Sequence, residues 1–129
     1  MTLVAVLLGG MLGTGLRLAI DAVLLPTSPF PWATLLVNVL GSFVLGFLVA
    51  RVWPAAPRWL RAGLGTGMLG SFTTFSAVIV ALLSLTGAGL TLLAVVYLVV
   101  SLLLGFAAAL LGVRMGVRAP ADPPIGTDE

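Results

Sequence analysis

A run of hydroxyl-bearing residues interrupts an apolar stretch near the middle of this chain. The segment GSFTTFS (70–76) holds two serines, two threonines and two phenylalanines behind a glycine, and it carries no charge. Asn38 is the chain's only amide side chain, while Tyr97 and Ser101, four residues apart, place two hydroxyls on one helix face. Amides, hydroxyls and the positive edges of phenyl rings can all meet an anion. The pattern predicts a passive path for an anion.

The charged residues argue against other chemistries. The chain has no cysteine or histidine, so disulfides, zinc sites and thiol chemistry are excluded. Its acidic residues are Asp21, at the end of an apolar run, and three near the C-terminus. Proton-coupled transport needs an ionisable carboxylate or histidine within the membrane. Because no acid, base or nucleophile pair is present either, we do not expect an enzyme.

Composition places the chain in a membrane. Of its 129 residues, 60% are hydrophobic and 8% are charged, whereas soluble domains carry roughly 25% charged residues. A membrane span needs about 20 apolar residues, so four spans fit, at about 2–20, 32–52, 59–85 and 90–113. We expect one all-α integral membrane domain over residues 1–118, followed by a disordered, Pro-rich acidic tail at 119–129.

The arginines predict an orientation. Five of the six basic residues fall on the side of the membrane that holds both termini and the loop between the second and third spans: Arg51, Arg58, Arg61, Arg114 and Arg118. The opposite side has at most Arg17. By the positive-inside rule, both termini should face the cytoplasm of a multi-pass protein in the cell (inner or plasma) membrane.

Glycines have two expected roles. In membranes, small residues let helices approach closely, and we expect this role for four of them: Gly9, Gly13, Gly46 and Gly105. Four more crowd the third span: Gly63, Gly65, Gly67 and Gly70. Each lowers helix propensity by roughly 1 kcal/mol against alanine, so here we expect a broken third helix near Gly70 rather than packing. Freed backbone groups at that depth must line a cavity or hold an ion.

For two polar residues, the sequence also allows a purely structural role instead of a role in the anion path. Asn38 could make a hydrogen bond between helices instead of lining an anion path. Arg17 could pair with Asp21, four residues later, or extend to the membrane surface. Both alternatives stay open from the sequence.

Three segments resemble a known family. GGMLGTGLR (9–17), TLLVNVLGSFVLG (34–46) and GTGMLGSFTTFS (65–76) are similar to the CrcB/Fluc fluoride channels, in order and over nearly all four spans. The resemblance implies four helices per subunit, paired into an antiparallel dimer with two fluoride pores. It also implies a sodium ion at the dimer centre, held by backbone carbonyls at positions that match Gly70 and Thr73.

The resemblance also implies pore residues. Asn38 and Phe75 match residues that line the family's pore, and Ser76 follows Phe75 in the same TTFS motif. Tyr97 and Ser101 match a polar track on the fourth helix. Arg17 matches the arginine that ends the first motif, where an anion vestibule is implied.

The chain departs from the family pattern at three positions. The motif usually continues TTFSTF, but here Ala77 and Val78 follow Ser76, so a second pore phenyl ring is missing. Gly105 stands where a further hydroxyl is expected. The leading hypothesis is a fluoride channel subunit that lets cytoplasmic fluoride leave the cell.

Alternatives to that hypothesis remain open. The chain could be a non-conducting partner in a heterodimeric channel, since Val78 and the one-sided arginines favour pairing with an oppositely oriented paralogue over a homodimer. A small four-helix drug exporter is a weaker alternative, because that mechanism needs a carboxylate in the first span.

Overall fold

The computed structural model describes residues 1–24 and 28–117, and every regular element within those ranges is a helix. Four helical stretches are long and apolar enough to cross a membrane: Thr2–Val23, Trp32–Val52, Arg58–Gly87 and Thr91–Gly116. The predicted four-span, all-α, multi-pass architecture is confirmed. Arg118 and the predicted tail at 119–129 lie outside the described residues.

The spans divide into six α-helices and two π-helical stretches. The first span is α1 (Thr2–Val23), and the second is α2 (Trp32–Phe47) followed by π-helical Leu48–Val52. The fourth is α6 (Thr91–Gly116). The third contains α3, a π-helical stretch, α4 and α5: Arg58–Arg61, Ala62–Leu69, Gly70–Phe72 and Phe75–Gly87.

Two residues between α4 and α5 have extended backbone. Thr73 has φ −91° and ψ 143°, and Thr74 has φ −151° and ψ 127°. Thr74 then caps α5, because its Oγ1 accepts a hydrogen bond from the Ala77 N–H at 3.4 Å. The third span therefore changes backbone conformation at the TTFS segment.

Glycines join α1 to the π-helical part of the third span. A Cβ added at Gly9 would collide with the Gly63 carbonyl, and one added at Gly67 would lie 2.6 Å from the Val6 carbonyl oxygen. Packing by Gly9 and Gly13 is thus confirmed. The expectation that the third-span glycines do not pack is wrong for Gly63 and Gly67, which are buried and admit the backbone of α1.

A second glycine seam joins α2 to α6. Side chains at Gly46 or Gly112 would meet the carbonyls of Ala109 or Phe43, so the packing role of Gly46 is confirmed. Gly105 differs. A Cβ there would lie 3.6 Å from the Ser42 Oγ, an ordinary van der Waals contact. Close packing does not require this glycine.

The buried core lies where α5 and α6 meet the start of α2. It contains five buried residues: Leu35, Val78, Leu85, Ala94 and Tyr97. Residues 88–90 join α5 to α6, and Gly89 adopts φ +77°, a conformation that glycine accepts without strain. The Leu90 N–H then donates to the Leu85 carbonyl at 2.9 Å, which closes the end of α5.

Candidate functional site

A groove of about 460 Å³ runs between α2, the start of α5 and α6. It brings together three of the predicted pore residues, Asn38, Phe75 and Ser101. The other lining residues are Ser42, Thr73, Thr74, Val78, Leu98, Leu102, Gly105, Phe106 and Ala109. None of these lining side chains is ionisable, so the groove offers hydroxyls, an amide and phenyl rings on an apolar background.

Asn38 binds the extended backbone at Thr74. Its Oδ1 accepts from the Thr74 N–H at 3.1 Å, and its Nδ2 approaches the Thr74 carbonyl oxygen at 3.5 Å. One amide thereby satisfies both backbone groups of a residue that has left the helical ladder. Asn38 makes the interhelical hydrogen bond kept as its alternative role, and it lines the groove as well.

These bonds leave two carbonyls without their usual helical donors. In a continuous α-helix, the Thr74 N–H would donate to the Gly70 carbonyl and the Ala77 N–H to the Thr73 carbonyl. Here the first donates to Asn38 and the second to the Thr74 hydroxyl. The Gly70 and Thr73 carbonyls, which the family resemblance implies as sodium ligands, therefore both lack their α-helical hydrogen-bond donors.

Gly70 and Thr73 both line a second groove, of about 640 Å³. It extends along the third span towards Trp53, Arg58 and Arg61. The Thr73 side chain faces α2 at Gly41, where an added Cβ would collide with its methyl group. The Thr73 hydroxyl donates to the Leu69 carbonyl at 2.8 Å. Thr73 thus stands between the two grooves with its hydroxyl already occupied.

Two predicted pore residues lie away from the first groove. Ser76 is exposed and is not among the lining residues. Tyr97 is 0% exposed and packs in the core, with its ring edge-on to Phe30 at 5.5 Å. Among the described residues, neither the Tyr97 hydroxyl nor the buried Ser101 hydroxyl makes a hydrogen bond of regular geometry, although the two hydroxyls lie close to each other. Ser101 lines the groove, and the Tyr97 ring one turn away packs in the core.

Arg17 also lies away from the first groove. Its Nε is 3.7 Å from the Asp21 Oδ2, as in the pairing kept as an alternative, and its side chain is 18% exposed. The pair joins successive turns of α1, which continues past the predicted end at residue 20 to Val23. One of its guanidinium nitrogens is buried without a partner in the described part of the chain.

Sequence reasoning missed Ser42 and Phe106 as lining residues. Ser42 follows Asn38 by four residues, a spacing that puts both on one face of α2 and could have identified it. Phe106 places a ring, 69% exposed, at the groove, and no periodicity in the sequence distinguishes it from an ordinary lipid-facing residue. Val78, which stands where the family pattern has a second phenyl ring, borders the groove but is 5% exposed and belongs to the core.

Comparison with known proteins settles the family. A family described as "CrcB-like protein, Camphor Resistance (CrcB)" matches residues 4–113. The chain belongs to the CrcB family. The match includes every residue that lines the two grooves, so the resemblance seen in the three sequence segments is confirmed.

CrcB-family relatives with curated names are similar over most of their length. The chain is 44% identical over 108 residues to "Fluoride-specific ion channel FluC 1" of Desulfitobacterium hafniense (strain Y51), covering 81% of this chain and 94% of the relative. It is 40% identical over 122 residues to "Fluoride-specific ion channel FluC" of Xylella fastidiosa (strain M23), covering 89% and 90%. The protein of that name from Deinococcus radiodurans is 43% identical over 118 residues.

Removing the Asn38 amide should release the TTFS backbone. In Asn38→Ala, the Thr74 N–H loses its acceptor, and an unsatisfied buried group costs about 1–3 kcal/mol. We expect faster hydrogen exchange at the Thr74 amide, measured on protein in detergent micelles or nanodiscs. Ser84→Ala, at an exposed position on α5, is the matched control. Unchanged exchange at Thr74 in Asn38→Ala would show that the amide does not hold this backbone.

Proposed function

We propose that this chain is a subunit of a fluoride-selective ion channel, through which cytoplasmic fluoride leaves the cell and which protects the cell against fluoride toxicity. The observation that carries the proposal is the uncharged polar groove at the extended TTFS backbone, with Asn38, Phe75 and Ser101 on its walls. The names of the CrcB-family relatives support the same permeant ion. A channel needs no catalytic group, and we assign none.

The chemistry of the groove favours an anion that passes without reacting. Asn38 and Ser101 offer N–H and O–H donors, and the Phe75 ring, 67% exposed, can present its positive edge. A full positive charge would bind fluoride strongly and slow its release, whereas neutral donors permit entry and exit. We place Ser76, Tyr97 and Ser101 along the same path in the assembled channel, with Arg17 at an anion vestibule.

We propose that two subunits pair in antiparallel orientation and enclose two pores. In one chain the first groove is open, and the Phe75 and Phe106 rings at its edge are largely exposed. A second subunit would cover these rings and separate the groove from lipid. The polar donors of one subunit would then face a wall supplied by the other.

We propose a sodium ion at the dimer centre, coordinated by the Gly70 and Thr73 carbonyls of two subunits. Both carbonyls have lost their α-helical donors to Asn38 and Thr74, as described above. Sodium is a hard cation, and such ions take oxygen ligands. We regard the interruption at Thr73 and Thr74 as the functional break of the third helix.

A heterodimer is the second candidate, with this chain as a partner that conducts poorly by itself. Val78 supplies no phenyl ring and is buried in the core. Arg51, Arg58 and Arg61 mark one end of the second and third spans, and Arg114 is in the last turn of α6. This charge asymmetry favours a single orientation with cytoplasmic termini. A drug exporter is disfavoured, because Asp21 pairs with Arg17 at the end of α1.

The purified chain in liposomes should release fluoride but retain chloride. A carboxylate in Asn38→Asp would repel the permeant anion, by about 4 kcal/mol at 4 Å and an effective dielectric constant of 20. We expect at least about a hundredfold loss of efflux, measured with a fluoride electrode. Ser84→Ala should conduct like the wild type. Wild-type efflux in Asn38→Asp would contradict a pore at Asn38, and no efflux from the wild type would leave the heterodimer as the channel.

Removing sodium should destabilise the assembled protein. If sodium binds the folded state at 100 times its Kd, it adds about 2.7 kcal/mol of stability. We expect a lower midpoint of thermal unfolding when sodium is replaced by N-methyl-D-glucamine at equal ionic strength, with recovery on adding sodium. The same midpoint in both solutions would argue against the site.

Expressed alone, the chain should insert mainly with both termini in the cytoplasm. Its basic residues crowd one side, and such a bias sets orientation. Reporter tags on each terminus measure the distribution, and Arg58→Ala/Arg61→Ala, which weakens the bias, should give a more even one. An even split for the wild-type chain would favour the homodimer over the heterodimer.

A further inference from the structure

We infer that Ser42 contacts the permeating fluoride, an inference that rests on the proposed function. Ser42 follows Asn38 by one turn of α2, and both side chains line the first groove. At 1.5 Å per residue, the two positions are separated by about 6 Å along the helix axis. An ion that moves along the groove from Asn38 therefore reaches Ser42 within one helical turn.

The opposite wall at this level has no side chain. Gly105 of α6 faces Ser42, and the Ser42 Oγ lies 3.6 Å from the point where a Gly105 Cβ would stand. Ser101, one turn earlier on α6, has a buried hydroxyl without a hydrogen-bond partner among the described residues. Because Gly105 has no side chain, the groove has free space next to the Ser42 hydroxyl.

Helix packing does not account for the glycine at 105. At Gly112 and Gly116, on the same helix, an added Cβ would press against the backbone of the second span. At Gly105 the corresponding contact is an ordinary one, so alanine or serine would fit. Glycine at this position therefore widens the groove beside Ser42 without bringing the helices closer.

A hydroxyl beside open space at membrane depth needs a polar partner, since leaving it unpaired is costly. A serine hydroxyl can donate to an anion, and hydrogen bonds to a charged acceptor are short and strong. A bare fluoride ion is smaller than a methyl group, so it fits the space that an added Gly105 Cβ would occupy. Ser42 is accordingly assigned as the donor that follows Asn38 along the groove.

The test is fluoride efflux from liposomes that contain the full chain. Losing one hydrogen bond to a charged group corresponds to at least about a tenfold change, so we expect Ser42→Ala to reduce efflux by that factor. Ser42→Thr keeps the hydroxyl and should retain most of the flux. In the Ser42→Ala background, Gly105→Ser should restore efflux from the opposite wall, whereas Gly105→Ala should not. Ser84→Ala is the control outside the groove.

A second measurement does not depend on conduction by the chain alone. The ¹⁹F NMR signal of fluoride bound to the purified protein should shift or weaken in Ser42→Ala and recover in Ser42→Ala/Gly105→Ser. Unchanged efflux and an unchanged ¹⁹F signal in Ser42→Ala would overturn the inference and leave the proposed function intact. So would equal losses in Ser42→Ala and Ser42→Thr without rescue, which indicate packing. Absence of both fluoride binding and efflux in the wild type would instead contradict the proposed conduction by this chain alone and, with it, the inference.

Discussion

In a bilayer, each peptide group that leaves a helix must find a partner within the protein, and this requirement organises the site. The extended backbone at Thr73 and Thr74 creates the need in the middle of the third span. Asn38 meets it from another span by binding both the N–H and the carbonyl of Thr74. The amide stabilises the extended turn, and in doing so it releases the Gly70 carbonyl from the α-helical pattern. One side chain thereby links the first groove to the proposed cation site.

That geometry depends on two glycine seams. The first holds α1 against the π-helical part of the third span, through Gly9, Gly13, Gly63 and Gly67. The second holds α2 against α6 through Gly46 and Gly112. Because backbones touch along both seams, the helices have little freedom to shift. A third close approach sets α2 against the third span, because a Cβ added at Gly41 would collide with the Thr73 methyl group. It lies beside the contact between Asn38 and Thr74.

The architecture was predictable from the sequence because length and hydropathy determine how a chain crosses a membrane. The four spans appear within about three residues of their expected ends. Glycine roles were only partly predictable. Gly63 and Gly67 weaken a helix by propensity, but they also pack, and only the position of α1 shows this. In a sequence, a glycine that weakens a helix looks the same as a glycine that lets two helices pack closely.

Site residues were predictable where a polar group stands alone in an apolar span, as Asn38 and Ser101 do. The direction in which a side chain faces was harder to infer. Tyr97 and Ser101 share a helix face by spacing, yet Tyr97 is buried in the core while Ser101 borders the groove, since the tyrosine ring extends towards Phe30. Ser42 carried only one weak signal, its four-residue spacing from Asn38, because a single serine in a span most often bonds its own helix. Ser42 lies opposite Gly105 only because α2 packs against α6, and the sequence does not show how these two helices pack.

The balance between binding and release explains why the groove contains no charge. A buried guanidinium would hold a small anion too firmly for rapid passage, and a carboxylate would exclude it. In the proposed pore, neutral donors spaced about one helical turn apart would allow fluoride to exchange one partner for the next, with no single deep minimum. The proposed vestibule role of Arg17 would fit this logic, because Arg17 lies near the end of α1 and pairs with Asp21. A charge at a span end can raise the local anion concentration, while the neutral groove determines how easily the anion moves on.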